Sequence, residues 1–321
     1  MLKTIFLHFV CLLFLLSLGF SQDKRVGLLL DDTDSQRWSN DSLLFSLKVE
    51  WLGGEVLTGV ANKNPSLQFQ QAKDMIAQGA KVLVIVASDT KKAVKIVKYA
   101  RKHDVRIIAY DRMILNAQVD YYVSFDNRKV GQLQAKFVAD SMEDNELMIL
   151  LGPVSDNNSY VLRDGQYDVL QAKIEDEQIN VVYEKHLKEW DNKLAYSEVK
   201  HYLSKHPHNH VGAIIGSNDM MAQGIDSALV ELGVDHPILI TGQDGDRSAF
   251  ERILSGHQSM TIYKPLSLTA EAAAILAMDI VNGKPIHIED EHKYFNGLRE
   301  VPFICIDPIS VDRRNVNKYY R

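Results

Sequence analysis

Apolar positions along this chain fall into two alternating rhythms. Short, nearly continuous runs at Val26 to Leu30, Glu55 to Val60, Val82 to Ala87, Val105 to Ala109 and Tyr121 to Phe125 read as strands, most of them buried on both faces. Longer stretches with helical spacing lie between them. The first places Leu43, Leu44, Leu47 and Trp51 on one face and ends at Gly53 and Gly54. The second has Asn64 as N-cap, Pro65 as first helical residue and an end at Gly79, and the third covers Thr90 to His103. After Phe125 the rhythm restarts. Helices over Lys129 to Met142, Asp164 to Glu175, Lys193 to Ser204, after Asp219 to Leu232, and Leu266 to Asn282 alternate with strands. Those strands are Leu147 to Leu151, Ile179 to Tyr183, Ala213 to Ile215, Ile238 to Thr241 and Ser259 to Tyr263. This order predicts an α/β fold of two Rossmann-like lobes, each a parallel sheet with helices on both faces. The helix over Leu266 to Asn282 is expected to return to the first lobe, and the apolar tail stretch Val301 to Ile306 to pair in the second. The lobes are thus expected at 24–124 plus 265–295 and at 125–264 plus 296–321.

A chain of 321 residues that is 46% apolar can bury two cores of this kind. Its net charge of −6 comes with no basic stripe, so no nucleic acid is expected as a partner. Lys3 precedes an apolar run from Ile5 to Phe20, with small residues at Gly19 and Ser21 before Gln22. That layout reads as a cleaved export signal over residues 1–21, because a membrane span wants ~20 apolar residues. With Cys11 inside it, Cys305 is left as the sole thiol of the mature chain, and no intrachain disulfide is expected.

The chemistry sits just beyond the strands. There the chain carries Asp31, Asp32, Arg37 and Trp38; Asp111 and Arg112; Asp156, Asn157 and Asn158; Asn218 and Asp219; Gln243 and Asp244; and Lys264. In open parallel sheets the carboxyl ends of the strands face a crevice where ligands bind. Carboxylates beside guanidinium groups offer acceptors and donors together, which suits a guest whose hydroxyls both give and receive hydrogen bonds. Trp38 and Trp190 could cover the C–H face of such a ring. Asp219 and Asp246 read better as caps of the helices that follow them. His206, His208 and His210 in KHPHNH read as a solvated loop, and no metal or other cofactor is expected. Catalysis is not expected either. The chain has no G-x-S-x-G, Walker or H-E-x-x-H motif, and Arg37, Arg112 and Lys264 would keep nearby carboxylates ionised.

Several segments in one order resemble the periplasmic sugar-binding proteins of ABC transporters, in particular those that take D-xylose. They are DD with RW at Asp31, Asp32, Arg37 and Trp38; AYDRM at Ala109 to Met113; SFDN at Ser124 to Asn127; and KVGQLQAK at Lys129 to Lys136. Further along come DNN at Asp156 to Asn158, SND at Ser217 to Asp219, GQD at Gly242 to Asp244, YKP at Tyr263 to Pro265, and NGL near VP at Asn296 to Pro302. The resemblance spans Val26 to at least Ile309. It implies two α/β lobes of the type I periplasmic binding protein fold, joined by three crossover segments and closing on a sugar. The sugar contacts it implies are Arg37, Trp38, Asp111, Arg112, Asp156, Asn158, Asn218, Asp244 and Lys264, with Trp190 as a further candidate. It also implies a periplasmic protein that delivers a monosaccharide, D-xylose first, to an ABC permease, or reports it to a membrane sensor kinase; the convergence of the strand-end polar groups leads us to expect a monomer that binds one such sugar. The residues TDSQ before Arg37, and Met220 and Met221 after SND, depart from the xylose-binding pattern and bear on which sugar fits.

Overall fold

The computed structural model describes residues 24–33, 36–289 and 292–320, so the export signal read at residues 1–21 lies outside it. In chain order the first lobe begins with β1 (Arg25–Leu30), α1 (Gln36–Trp51), β2 (Glu55–Val60), α2 (Pro65–Ala77), β3 (Val82–Ile85), α3 (Val94–Arg101), β4 (Arg106–Tyr110) and β5 (Tyr121–Phe125). The second lobe follows with α4 (Asn127–Ser141), β6 (Glu146–Leu151), α5 (Asn157–Glu175), β7 (Asn180–His186), α6 (Asn192–Lys205), β8 (Val211–Gly216), α7 (Asp219–Leu232), β9 (Leu239–Thr241), α8 (Arg247–Ser255) and β10 (Met260–Tyr263). Then come α9 (Leu266–Val281), β11 (Lys293–Phe295), β12 (Glu300–Ile306) and β13 (Ile309–Asp312).

The first sheet has seven strands in the order β11-β12-β5-β4-β3-β1-β2, and within it only the β11–β12 pair is antiparallel. Alternate residues of its strands feed two cores. Val26, Leu28 and Leu30 meet Phe45 and Val49 of α1 and the alanines of α9, while Leu29, Leu83 and Ile85 belong to the core with Ala72 and Met75 of α2 and Ile96 and Val97 of α3. In the second lobe β7-β6-β8-β9 run parallel. Bonds from Gly242 N to Met260 O (3.1 Å) and from Asp244 N to Ile262 O (2.9 Å) extend that ladder onto β10, which pairs antiparallel with β13. The chain passes between lobes after β5, after β10 and after β12, giving the three crossovers.

Asn64 caps α2 as expected, accepting from Ser66 N and Leu67 N, with Pro65 opening the helix. Other expectations are corrected. Val301 to Ile306 does not pair in the second lobe: β12 lies parallel beside β5, with Ile306 opposite Phe125, and the chain crosses to the second lobe at β13. Asn296 also belongs to the first lobe, donating to Ile114 O and Ala117 O. A short apolar strand fits any open sheet edge, and β5 offered one.

The core face of α1 is also not the stripe read from the sequence. Leu43, Leu47 and Trp51 are exposed, at 59%, 55% and 76%, and Leu44 is half-buried, whereas Trp38, Asp41, Phe45 and Val49 are buried. Small side chains at Ala270, Ala273, Ala274 and Ala277 share that core, so aromatic and branched residues fill the space between α1 and α9. Helix α5 begins at Asn157, earlier than expected, and α8, β11 and β13 were not foreseen. Among the described residues no helix is long and apolar enough to cross a membrane.

Candidate functional site

All ten residues singled out in the sequence line one cavity of about 240 Å³ between the lobes: Arg37, Trp38, Asp111, Arg112, Asp156, Asn158, Trp190, Asn218, Asp244 and Lys264. Asp31, Asp32, Ser88, Glu189, Met220 and Gln243 line it too, while Met221 is turned into the second-lobe core. Most stand at the carboxyl ends of strands, where alternation of strand and helix in both lobes aims them at the crevice.

Arg37, in the first turn of α1, reaches three carboxylates. Its guanidinium pairs closely with Asp111, lies 3.0 Å from Asp244 across the cleft and 3.5 Å from the buried Asp41. It also sits 4.5 Å from the centroid of the Trp38 ring. Arg112, just past β4, donates to Asp31 (2.7 Å) and Ala87 O (3.1 Å) in its own lobe, and its Nε lies 2.8 Å from Asp156 in the other. Asp156 has a double duty. One oxygen caps α5 by accepting from Asn158 N (2.9 Å), and the other receives the Trp190 indole N–H (3.1 Å).

Asp111 adopts φ +60°, a region that residues with a side chain rarely occupy. Its carbonyl is fixed there by Tyr122 Oη (2.8 Å), Ser124 Oγ (3.1 Å) and Asn158 Nδ2 (3.2 Å), and Asn158 also donates to its carboxylate at 3.0 Å. Strain of this kind persists where surrounding structure over-determines it, commonly at functional sites. Asn127 orients Asn158 through a 3.1 Å bond and lies 3.4 Å from Lys264 Nζ. Asn218 caps α7 by accepting from Met221 N (2.9 Å), so the cap expected of Asp219 belongs to its neighbour. Asp246 occupies the N-cap position of α8 without a side-chain cap bond, and Asp219 serves instead as a buried acceptor.

Burial opposes ionisation throughout this cavity, and neighbouring charges decide the outcome. At Asp111 burial is outweighed by Arg37 and Lys264, which hold the carboxyl below its ordinary range. At Asp156 burial prevails over Arg112 and raises the carboxyl. Burial also pulls Lys264 down despite the attraction of Asp244. Beneath the site, burial pushes Asp41 up to about 6 against the pull of Arg37 and Tyr110.

Three cations, Arg37, Arg112 and Lys264, thus face Asp31, Asp111, Asp156 and Asp244, each within an ion pair. An ionic guest would find its counter-charge already engaged. An uncharged polyol can bond to the donor and acceptor positions these pairs leave over. Among the described residues no group of three or more His, Cys, Asp or Glu side chains could hold a metal ion. Contacts that join the lobes include Arg37–Asp244, Arg112–Asp156, Asn158–Asp111, Lys63–Glu189 at the mouth (3.9 Å), Thr90 N to Ser155 O (3.0 Å), and Asn157 Nδ2 to Tyr294 Oη (2.9 Å). The cleft is therefore closed.

Sequence reading alone passed over Asp41, Asn127 and the mouth pair Lys63–Glu189. Asn127 stands in the SFDN segment, but its role depends on an amide 31 positions away.

Comparison with known proteins agrees with this geometry. The model of the periplasmic binding protein domain matches residues 26–285. The chain is 37% identical over 302 residues to the D-xylose-binding periplasmic protein of Haemophilus influenzae, covering 94% of this chain and 90% of that protein. It is 35% identical over 296 residues to the D-xylose-binding periplasmic protein of Escherichia coli, covering 92% and 89%. The crystal structure of an ABC transporter solute binding protein from Clostridium phytofermentans with bound β-D-glucose matches with a TM-score of 0.87 at 27% identity, covering 93% of this chain and 97% of that one. The chain belongs to the periplasmic sugar-binding proteins of ABC transporters.

Proposed function

We propose that this protein captures one monosaccharide, D-xylose first, by closing its two lobes, and delivers it to an ABC sugar permease in the periplasm. The single observation that carries the reading is the convergence of Arg37, Asp111 and Arg112 from one lobe with Asp156, Asn158, Asn218 and Asp244 from the other on a closed cavity of about 240 Å³. That volume lies below the roughly 300 Å³ at which drug-sized sites begin, which favours a single sugar ring. Trp38 and Trp190 supply aromatic faces, and Lys264 adds a donor at the cavity wall. The printed names of the two xylose-binding relatives support the pentose. One extra CH₂OH group shifts affinity by only about 1 to 3 kcal/mol, so a hexose is the natural competitor. Binding without turnover suits the site: Arg37 and Lys264 hold Asp111 ionised, and Asp156, raised by burial, has its oxygens engaged by Arg112, Asn158 N and the Trp190 indole.

A thermal-shift and calorimetry panel of D-xylose, L-arabinose, D-ribose, D-glucose and D-galactose tests the reading. A sugar at one hundred times its Kd stabilises the protein by about 2.7 kcal/mol, and with all sugars at one common concentration D-xylose is expected to give the largest shift. A larger shift with D-glucose would overturn the pentose assignment, and no shift with any sugar would overturn the function. Delivery is tested by uptake of labelled D-xylose in cells lacking the protein. Lost uptake is expected, whereas normal uptake with a lost transcriptional response would assign the partner to a sensor kinase.

A further inference from the structure

We infer that Asp219 is a positioning residue for sugar capture, holding the loop that presents Asp244 to the cleft; this rests on the sugar-binding reading above. Asp219 opens α7 directly after the cap Asn218, is 1% exposed and does not line the cavity. The loop that leaves β9 carries two successive residues at positive φ, Asp244 at +96° and Gly245 at +72°. Backbone N–H groups in such a turn converge into a concavity that binds anions. Here the acceptor is the chain's own side chain: Asp219 Oδ2 accepts from Gly245 N (2.9 Å) and Asp246 N (3.0 Å).

The carboxyl group is held in turn from behind. Its Oδ1 accepts from Thr261 Oγ1 (2.7 Å) and Gln258 Nε2 (2.9 Å), its carbonyl accepts from Arg252 (3.0 Å), and its own N–H donates to Gln243 O (2.9 Å). Gly242 belongs to the same knot, since a Cβ there would collide with Asp219 Oδ1. One buried side chain therefore ties the start of α7, where Asn218 lines the cavity, to the turn that carries Asp244. Asp244 then reaches Arg37 at 3.0 Å and Lys264 at 3.6 Å. Without the acceptor, the Gly245 and Asp246 N–H groups lose their partner, and Asp244 has no reason to keep a conformation that side chains disfavour.

The test is calorimetry with D-xylose on the full mature chain. Asp219→Ala is expected to weaken binding about 10-fold or more. Asp219→Asn retains one oxygen for the loop N–H groups and is expected to recover part of that loss. In an Asp244→Asn background, titrated at higher sugar concentration, neither substitution at 219 is expected to weaken binding further. A merely structural role would lower the melting temperature of the sugar-free protein while leaving affinity unchanged, or would weaken both backgrounds equally; either result overturns the inference. If Asp219→Ala does not fold, the cycle with Asp219→Asn decides on the same criterion. Failure of the unmodified protein to bind any sugar would instead refute the function, and is read from the same titration.

Discussion

Replacing Arg112 by alanine probes how closure is held. Its guanidinium, 6% exposed, lies 2.7 Å from Asp31 in its own lobe and 2.8 Å from Asp156 in the other. Removing it strands two buried carboxylates, and breaking a buried pair in this way costs roughly 3 to 5 kcal/mol. The two halves of that cost fall on different equilibria. Asp31 stays beside position 112 whether the cleft is open or closed, so its share lowers the stability of the first lobe. Asp156 meets Arg112 only on closure, so its share, about 2 kcal/mol, appears in Kd as a loss of roughly 30-fold. Calorimetry on Arg112→Ala, Asp156→Asn and the double variant measures both. Asparagine carries no charge and can still cap α5, so the double variant is expected to bind more tightly than Arg112→Ala alone. An unchanged Kd for Arg112→Ala, with the whole effect in melting temperature, would refute the cross-cleft account.

Two further outcomes follow from contacts outside the cavity lining. Tyr294→Phe removes the acceptor of Asn157 Nδ2 at the edge of the cleft, a net loss of about 1 kcal/mol that should weaken binding roughly 5-fold and speed sugar release in stopped-flow traces; an unchanged release rate would count against it as a latch. Asp41 moves from 3.8 to about 6 on folding, so the native state holds its proton more firmly than the unfolded chain does. That contribution to stability is complete below about pH 4 and lost as pH rises through about 6, amounting to about 3 kcal/mol. Asp41→Asn abolishes the titration, and urea midpoints of variant and parent should converge or cross as pH rises from 4 to 7; parallel curves would contradict the assignment.

Much of this molecule was legible before any coordinates. Runs such as Val82 to Ile85 are apolar throughout, which only a strand covered on both faces can afford, and their alternation with helices of regular length dictates parallel sheets. Polar residues past those runs, from Asp31 to Lys264, then have to stand at the sheet edge where ligands bind, because each follows the end of a strand within a few residues. Those relations are local, and local spacing is what a sequence records. Tertiary structure alone decided the rest. Which open edge β12 would join was a choice between equally suitable partners far along the chain, and β5 took it. Which stripe of α1 faced the core depended on the alanines of α9, more than two hundred positions away. Asp156 and Asp219 look alike as residues near helix starts, yet one turns to Arg112 across the cleft and the other into a nest of backbone N–H groups. Pairing of this sort is fixed by distances between segments remote in the chain, and only the packed lobes set those distances.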